Sequence, residues 1–127
     1  MAAWAAVNRF TAAACVVTAT VGCAAGPIAG RLSVSGREPV PATLSYRSSL
    51  FGGSGKLWTT LPGGEAFLGS YVLKPNEPGA PMTGTLQGDR GSVMVCLFRL
   101  NEPGVGPDRG GTVRCDVSTG GVFDASF

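Results

Sequence analysis

No histidine occurs anywhere in the 127-residue chain. That absence removes Ser-His-Asp and Cys-His nucleophile systems, His-bearing zinc sites and imidazole proton transfer together. Charge is also scarce: Asp, Glu, Lys and Arg make up 14% of the chain, against about a quarter in an ordinary globular protein. The formal net charge is +2. It falls to about +1 if Arg9 leaves with a leader, which is too balanced for a nucleic-acid partner. The acids Glu65, Asp89, Asp116 and Asp124 fall on turns and alternating positions, not as a facing catalytic pair. Gly52-Gly53-Ser54-Gly55-Lys56 invites a phosphate-loop reading and fails it. Leu50 stands where the first Gly is required, Leu57 stands where Ser or Thr should hold magnesium, and a β-hairpin follows in place of a helix. We therefore expect no enzyme, no cofactor and no metal site.

Glycine is plentiful, with 20 residues, and there are 9 prolines. That mixture suits short strands joined by many turns, and no amphipathic helical period can be traced beyond the N-terminal segment. Residues 1–22 have the parts of a secretory signal. Asn8-Arg9 is a thin polar start, 10–21 is an apolar core of mostly small residues, and Gly22 is the small residue before a cut. Three other readings of this stretch stay open. Cys15 would leave almost no apolar core if it were the processed residue. An ordinary cut near Ala24-Ala25 would free the protein. A membrane-spanning helix over 10–29 nears the length required, but it is rich in Ala, Thr and Gly and contains Pro27.

Thr20-Val21-Gly22-Cys23 resembles the lipobox of bacterial lipoproteins, an aliphatic residue, a small or β-branched one, Gly, Ala or Ser, and then Cys. Val21, Gly22 and Cys23 match; Thr20 stands where that family prefers Leu. The resemblance implies a diacylglycerol thioether on Cys23 and a fatty acyl chain on its freed amine. Two chains already hold a protein stably at a bilayer, at ~0.8 kcal/mol per buried methylene. Ala24, in place of Asp, is similar to the class sorted to the outer membrane. The expected organisation is a signal over 1–22, a lipidated Cys23 with a short tether to residue 30, and a β domain over 31–127.

Within that domain, 31–35, 42–47, 82–87 and 92–100 read as strands. The strand at 92–100 is apolar on both faces, which predicts a central position. Residues 55–71 and 111–127 align without gaps. Leu57 meets Val113, Leu61 meets Val117, Gly64 meets Gly120, Phe67 meets Phe123 and Tyr71 meets Phe127. Each copy is strand, Gly turn, strand. Asn-Glu-Pro-Gly occurs at 76–79 and again at 101–104 as good turn chemistry. The pattern predicts an all-β domain, a small antiparallel barrel or sandwich of about six to eight short strands, with Phe127 packed inside.

Export would leave Cys96 and Cys115 as a pair in an oxidising compartment. Antiparallel pairing of 92–100 with 111–117 brings them opposite or near each other, so a disulfide is expected. If Leu57 and Leu61 face the core, Trp58 faces outward beside Lys56. Trp58, Lys56 and Tyr46 are the candidate binding surface. From residue 55 onward the chain resembles small, mostly uncharacterised proteobacterial lipoproteins with Gly-rich β-hairpins, on Leu61-Pro62-Gly63-Gly64-Glu65-x-Phe67-x-Gly69-x-Tyr71 and the Cys96…Cys115 ending. That resemblance implies address and fold more than task. The expected role is a lipid-anchored, periplasm-facing binding or structural module whose partner is an envelope protein or peptidoglycan. The alternative is an inhibitor of a cell-wall hydrolase, since small disulfide-bearing barrel lipoproteins of that kind have a similar build.

Overall fold

The computed structural model describes residues 25–49, 53–74, 76 and 81–127. The expected signal segment over 1–22, with Cys15, and the residues Cys23 and Ala24 lie outside the described residues. Eight strands follow one another: β1 Ala25–Ser33, β2 Val40–Ser48, β3 Ser54–Thr60, β4 Ala66–Leu73, β5 Met82–Gly88, β6 Val93–Leu100, β7 Gly111–Val117 and β8 Val122–Ser126. One turn of 3-10 helix, Pro107–Arg109, lies between β6 and β7. Each strand pairs antiparallel with the next, and β8 returns to pair with β1. The sheet is therefore a closed barrel and not a sandwich, and closure removes the exposed edges that an open sheet would leave.

Alternation drives the fold. Along β6, Met94, Cys96, Phe98 and Leu100 are buried while Val95, Leu97 and Arg99 are exposed. The outer wall carries Arg31, Arg47, Lys56, Arg99, Arg114, Asp116 and Asp124, all exposed. An apolar interior with a charged exterior is the reverse of a membrane-spanning barrel. Among the described residues no helix is long and apolar enough to cross a membrane.

Eight strands enclose a space just wide enough for side chains to fill, and large residues fit it beside glycines. Across β3, β4 and β5, Tyr71 pairs with Gly55 on one side and Gly84 on the other. One step along the barrel, Gly69 sits between Leu57 and Leu86. A further step along, Phe67 pairs with Gly88, and Tyr46 pairs with Gly26. A Cβ on Gly69 would overlap the Thr85 carbonyl oxygen, which is backbone; one on Gly84 would meet the Leu57 Cδ1 methyl.

Two expectations are corrected here. Residues 25–30 are not a tether but the first two-thirds of β1, with Ile28 1% exposed in the core. Ala, Gly and Pro around Ile28 hide the alternation, although Gly26 is needed to accept the Tyr46 ring. Pro27 is tolerated because β8 pairs only with Gly30–Ser33, so among the described strands this part of β1 has a ladder partner on one side alone. Second, β6 is not buried on both faces: Val95 and Leu97 are 46% and 49% exposed. A closed barrel has no central strand, and every strand keeps one face outside.

The two similar hairpins become β3–β4 and β7–β8, four strands apart and so across the barrel from each other. Their matched residues Leu57 and Val113, Leu61 and Val117, and Phe67 and Phe123 are all buried. Tyr71 is buried too, whereas Phe127 is half-buried, with its ring edge-on to Phe98 at 6.3 Å. Cys96 and Cys115 stand directly opposite on β6 and β7 and are disulfide-bonded inside the core, with Cα atoms 4.0 Å apart.

The bond spans 19 residues, which in the chain-entropy model is worth about 3 kcal/mol. Cys96→Ala with Cys115→Ala should lower the unfolding free energy by at least that amount in urea titration. Gly69→Ala should cost ~2–3 kcal/mol, because its new methyl meets fixed backbone; Gly84→Ala should cost less, because a leucine end can move. Equal midpoints for the two glycine variants would contradict the packing described.

Candidate functional site

The barrel has two unlike poles. At one end, where β2, β4, β6 and β8 finish, the 101–110 segment folds inward. Gly106 and Pro107 are buried there, and Asp108 Oδ1 accepts a 2.8 Å hydrogen bond from the Tyr46 hydroxyl. The Tyr71 hydroxyl donates to Ser48 Oγ at 3.0 Å. Burial, then the Asp108 hydrogen bond and its negative charge, push the Tyr46 phenol well above its ordinary pKa. Burial raises that of Tyr71, and the Ser48 bond opposes it. Gly111 and Phe127 exchange two backbone hydrogen bonds, which clasp the last residue to β7. This is the closed pole.

The other end is an open mouth of about 370 Å³, with apolar walls from Leu32, Val34, Leu61 and Val117 and a rim that includes Arg37 and Arg90. Glu65 governs this rim. Its Oε2 accepts the Arg90 N–H at 3.0 Å and the Ser92 N–H at 3.1 Å, while Oε1 accepts the Ser92 hydroxyl at 2.7 Å. Asp89 Oδ1 accepts the Ala66 N–H, and the Arg90 guanidinium donates to the Gly63 carbonyl. These contacts tie the β3–β4 turn to the β5–β6 turn. Desolvation by those turns raises the Glu65 pKa; the Ser92 and Arg90 hydrogen bonds and the Arg90 charge more than offset it and hold the carboxyl below its ordinary range. Sequence spacing placed Glu65 and Asp89 only as scattered acids on turns and alternating positions. Both are turn clasps, a role that needs the barrel to bring residues about 25 apart together.

The proposed surface of Trp58, Lys56 and Tyr46 does not assemble. Trp58, 39% exposed, and Lys56 share the outer face of β3. Tyr46 is 7% exposed and faces the interior, engaged with Asp108. Its neighbour Arg47 takes the outward position, as alternation requires. Trp58 instead pairs with exposed Leu68 on β4.

The more distinctive outer feature was missed by the sequence reading. A groove of about 590 Å³ crosses β6, β7, β8 and β1. One wall is a cross-strand row of long side chains, Leu97, Arg114, Asp124 and Arg31. Beside it runs a row of shorter ones, Thr112, Ser126 and Ala29, with Arg99 paired to Thr112 at the β6 end. Among the described residues the ion pair is Arg109 with Glu102, near the closed pole; the three groove arginines and Asp124 have no side-chain partner. The signal in the sequence was one outward-facing arginine on each of β6, β7 and β1, and only barrel closure sets β1 beside β8. Among the described residues no cluster of three or more Cys, Asp or Glu is placed to hold a metal ion. Comparison with family models, curated proteins and solved structures finds no match to the chain.

A carboxylate whose folded pKa is depressed adds stability above its unfolded pKa, and that stability is lost as pH falls through the folded value. Glu65→Gln should therefore lower the melting temperature at pH 7. The gap from the parent protein should narrow steadily as pH drops below about 4. A gap independent of pH between 7 and 2 would remove the charge from this account.

Proposed function

We propose that the chain is a non-catalytic binding module of a bacterial cell envelope, held at the outer membrane by lipid on Cys23 with its barrel in the periplasm. The observation that carries the binding role is the set of unpaired arginines on the outer wall. The interior is taken up by packed side chains, with Tyr71, Phe98 and Phe123 fully buried, so chemistry offered to a partner lies on the outside. The leader and the match at Val21, Gly22 and Cys23 support the anchor. Because Ala25 is already in β1, a lipid on Cys23 would lie within two residues of the barrel wall. β1 starts at the closed pole, so that pole would rest against the membrane and the open mouth would point away from it.

A second reading, inhibition of a cell-wall hydrolase, is favoured by the same arginines. Glycoside hydrolases carry two carboxylates in their cleft, and guanidinium forks complement carboxylates.

Intact mass of the native protein after detergent extraction should show loss of residues 1–22, acyl chains on Cys23 and one disulfide. Labelled palmitate that fails to enter the protein, together with normal processing of Cys23→Ser, would overturn the anchored reading. Capture from envelope extracts should return cell-wall glycan or an envelope protein. A hydrolase as the main prey, inhibited by the purified chain, would establish the second reading instead.

A further inference from the structure

We infer that the groove between β6 and β1 is a site for a saccharide bearing carboxylate or phosphate groups. This rests on the reading of the barrel as a binding module and gives that module a ligand class. Three guanidiniums, Arg31, Arg99 and Arg114, face one carboxylate, Asp124, so the groove holds a surplus of two positive charges. The whole 127-residue chain carries no more than +2. Arg47 and Lys56 form a second positive pair across β2 and β3, so what sets this wall apart is the groove that its three arginines line.

The arrangement is unsatisfied within the protein. Asp124 pairs in register with Arg114 on one side and Arg31 on the other, yet it forms no ion pair with either among the described residues. Adjacent strands lie ~4.8 Å apart, so the backbones of Arg114 and Arg31 are roughly 10 Å apart across β8. Arg99 lies one strand over from Thr112 on the neighbouring row. The three cations therefore frame a space; they do not converge on a single point. Several anionic groups along a chain suit that spacing better than one compact ion.

The rest of the lining favours a sugar. Thr112 and Ser126 supply hydroxyls beside the arginines, and Leu97 and Ala29 supply short apolar surface. Sugar rings present hydroxyls at their edges and C–H groups on their faces. The groove is shallow and open along the wall, so it would hold one face of a ligand and leave the other in solvent. The groove lies on the side wall, not across a pole, so a ligand running along the barrel surface can enter it lengthwise. The row of Arg99, Thr112 and Ser126 lies near the strand ends at the closed pole, so an anionic lipid headgroup is the competing source of the same chemistry.

The test uses the full chain in detergent, titrated by heteronuclear NMR with trigalacturonate and with neutral maltotriose of equal length. Trigalacturonate should shift the amides of residues 29–31, 97–99, 112–114 and 124–126, and maltotriose should bind at least tenfold more weakly. Arg114→Gln and Arg31→Gln should each weaken binding about tenfold, the loss of one charge-assisted fork. Asp124→Asn should tighten it about threefold by removing the one repulsive charge. Arg109→Gln removes an equal charge from the closed pole and should change nothing. The inference falls if Arg109→Gln weakens binding as much as Arg114→Gln, or if Asp124→Asn has no effect. It also falls if groove-dependent binding is seen only with phosphatidylglycerol vesicles. Loss of this binding would leave capture of an envelope partner through another surface intact. Conversely, groove binding by a chain that is never lipidated would spare the site and remove the anchored module.

Discussion

The volume of the barrel interior is the constraint on which the rest of the molecule depends. Eight strands leave room for packed side chains but not for eight large ones at each level. The chain meets that limit in part by setting glycines beside bulky residues: Gly55 and Gly84 around Tyr71, Gly69 between Leu57 and Leu86, Gly88 beside Phe67, Gly26 beside Tyr46. Glycine in a strand weakens it locally, and here the loss is offset because an aromatic ring covers the bare backbone. The arrangement also decides where chemistry can go. A filled interior leaves no room for a ligand among those rings, so recognition falls to the wall and to the open mouth.

The disulfide belongs to the same economy of space. Cys96 and Cys115 are completely buried, and two sulfurs occupy the position between Gly84 and Phe123 in one cross-strand row. The bond joins strands that already pair, so its effect is on the unfolded chain more than on the register. Glu65 does comparable work at the open mouth by a different means. One carboxylate accepts three hydrogen bonds from the β5–β6 turn, holding two turns together above the apolar wall of the mouth. The closed pole is held by Tyr46, Asp108 and the Gly111–Phe127 clasp. Each end is thus secured by polar contacts around an apolar middle.

Much of this fold was legible residue by residue. Alternation placed Leu57, Thr59 and Leu61 inside and Trp58 outside, and Thr59 is tolerated in the core because its hydroxyl donates to the Thr43 carbonyl. Cys96 opposite Cys115 followed from antiparallel pairing of two recognisable strands. Three things did not follow. The first half of β1 lacks alternation because its small residues serve the partner's ring and not their own burial. The double-sided apolar pattern of β6 points to a central strand in an open sheet, and only closure makes it an ordinary wall strand with exposed Val95 and Leu97. The arginine groove depends on β8 meeting β1, a contact between chain segments about 90 residues apart that no local pattern encodes. Tyr46 failed as a surface residue for a simpler reason: it was grouped with Lys56 and Trp58 by residue type, although alternation on β2 gives the outward place to Arg47.

Closure also explains why the groove sits where it does. At the β1–β8 seam, Gly30 pairs with Ala125, and a Cβ on Gly30 would overlap the Asp124 carbonyl oxygen. The two strands can approach only because both residues are small. On the outer face of that same seam, Ala29 and Ser126 add little bulk, while Arg31 and Asp124 one pleat away stand tall. The step between the two rows is therefore a by-product of closing the barrel with small residues. Three arginines then line it without partners of their own. A structural need for tight closure and three unpartnered arginines meet at one place on the wall, and that coincidence, absent from the Trp58 face across the barrel, is what gives this face a groove with charge in it.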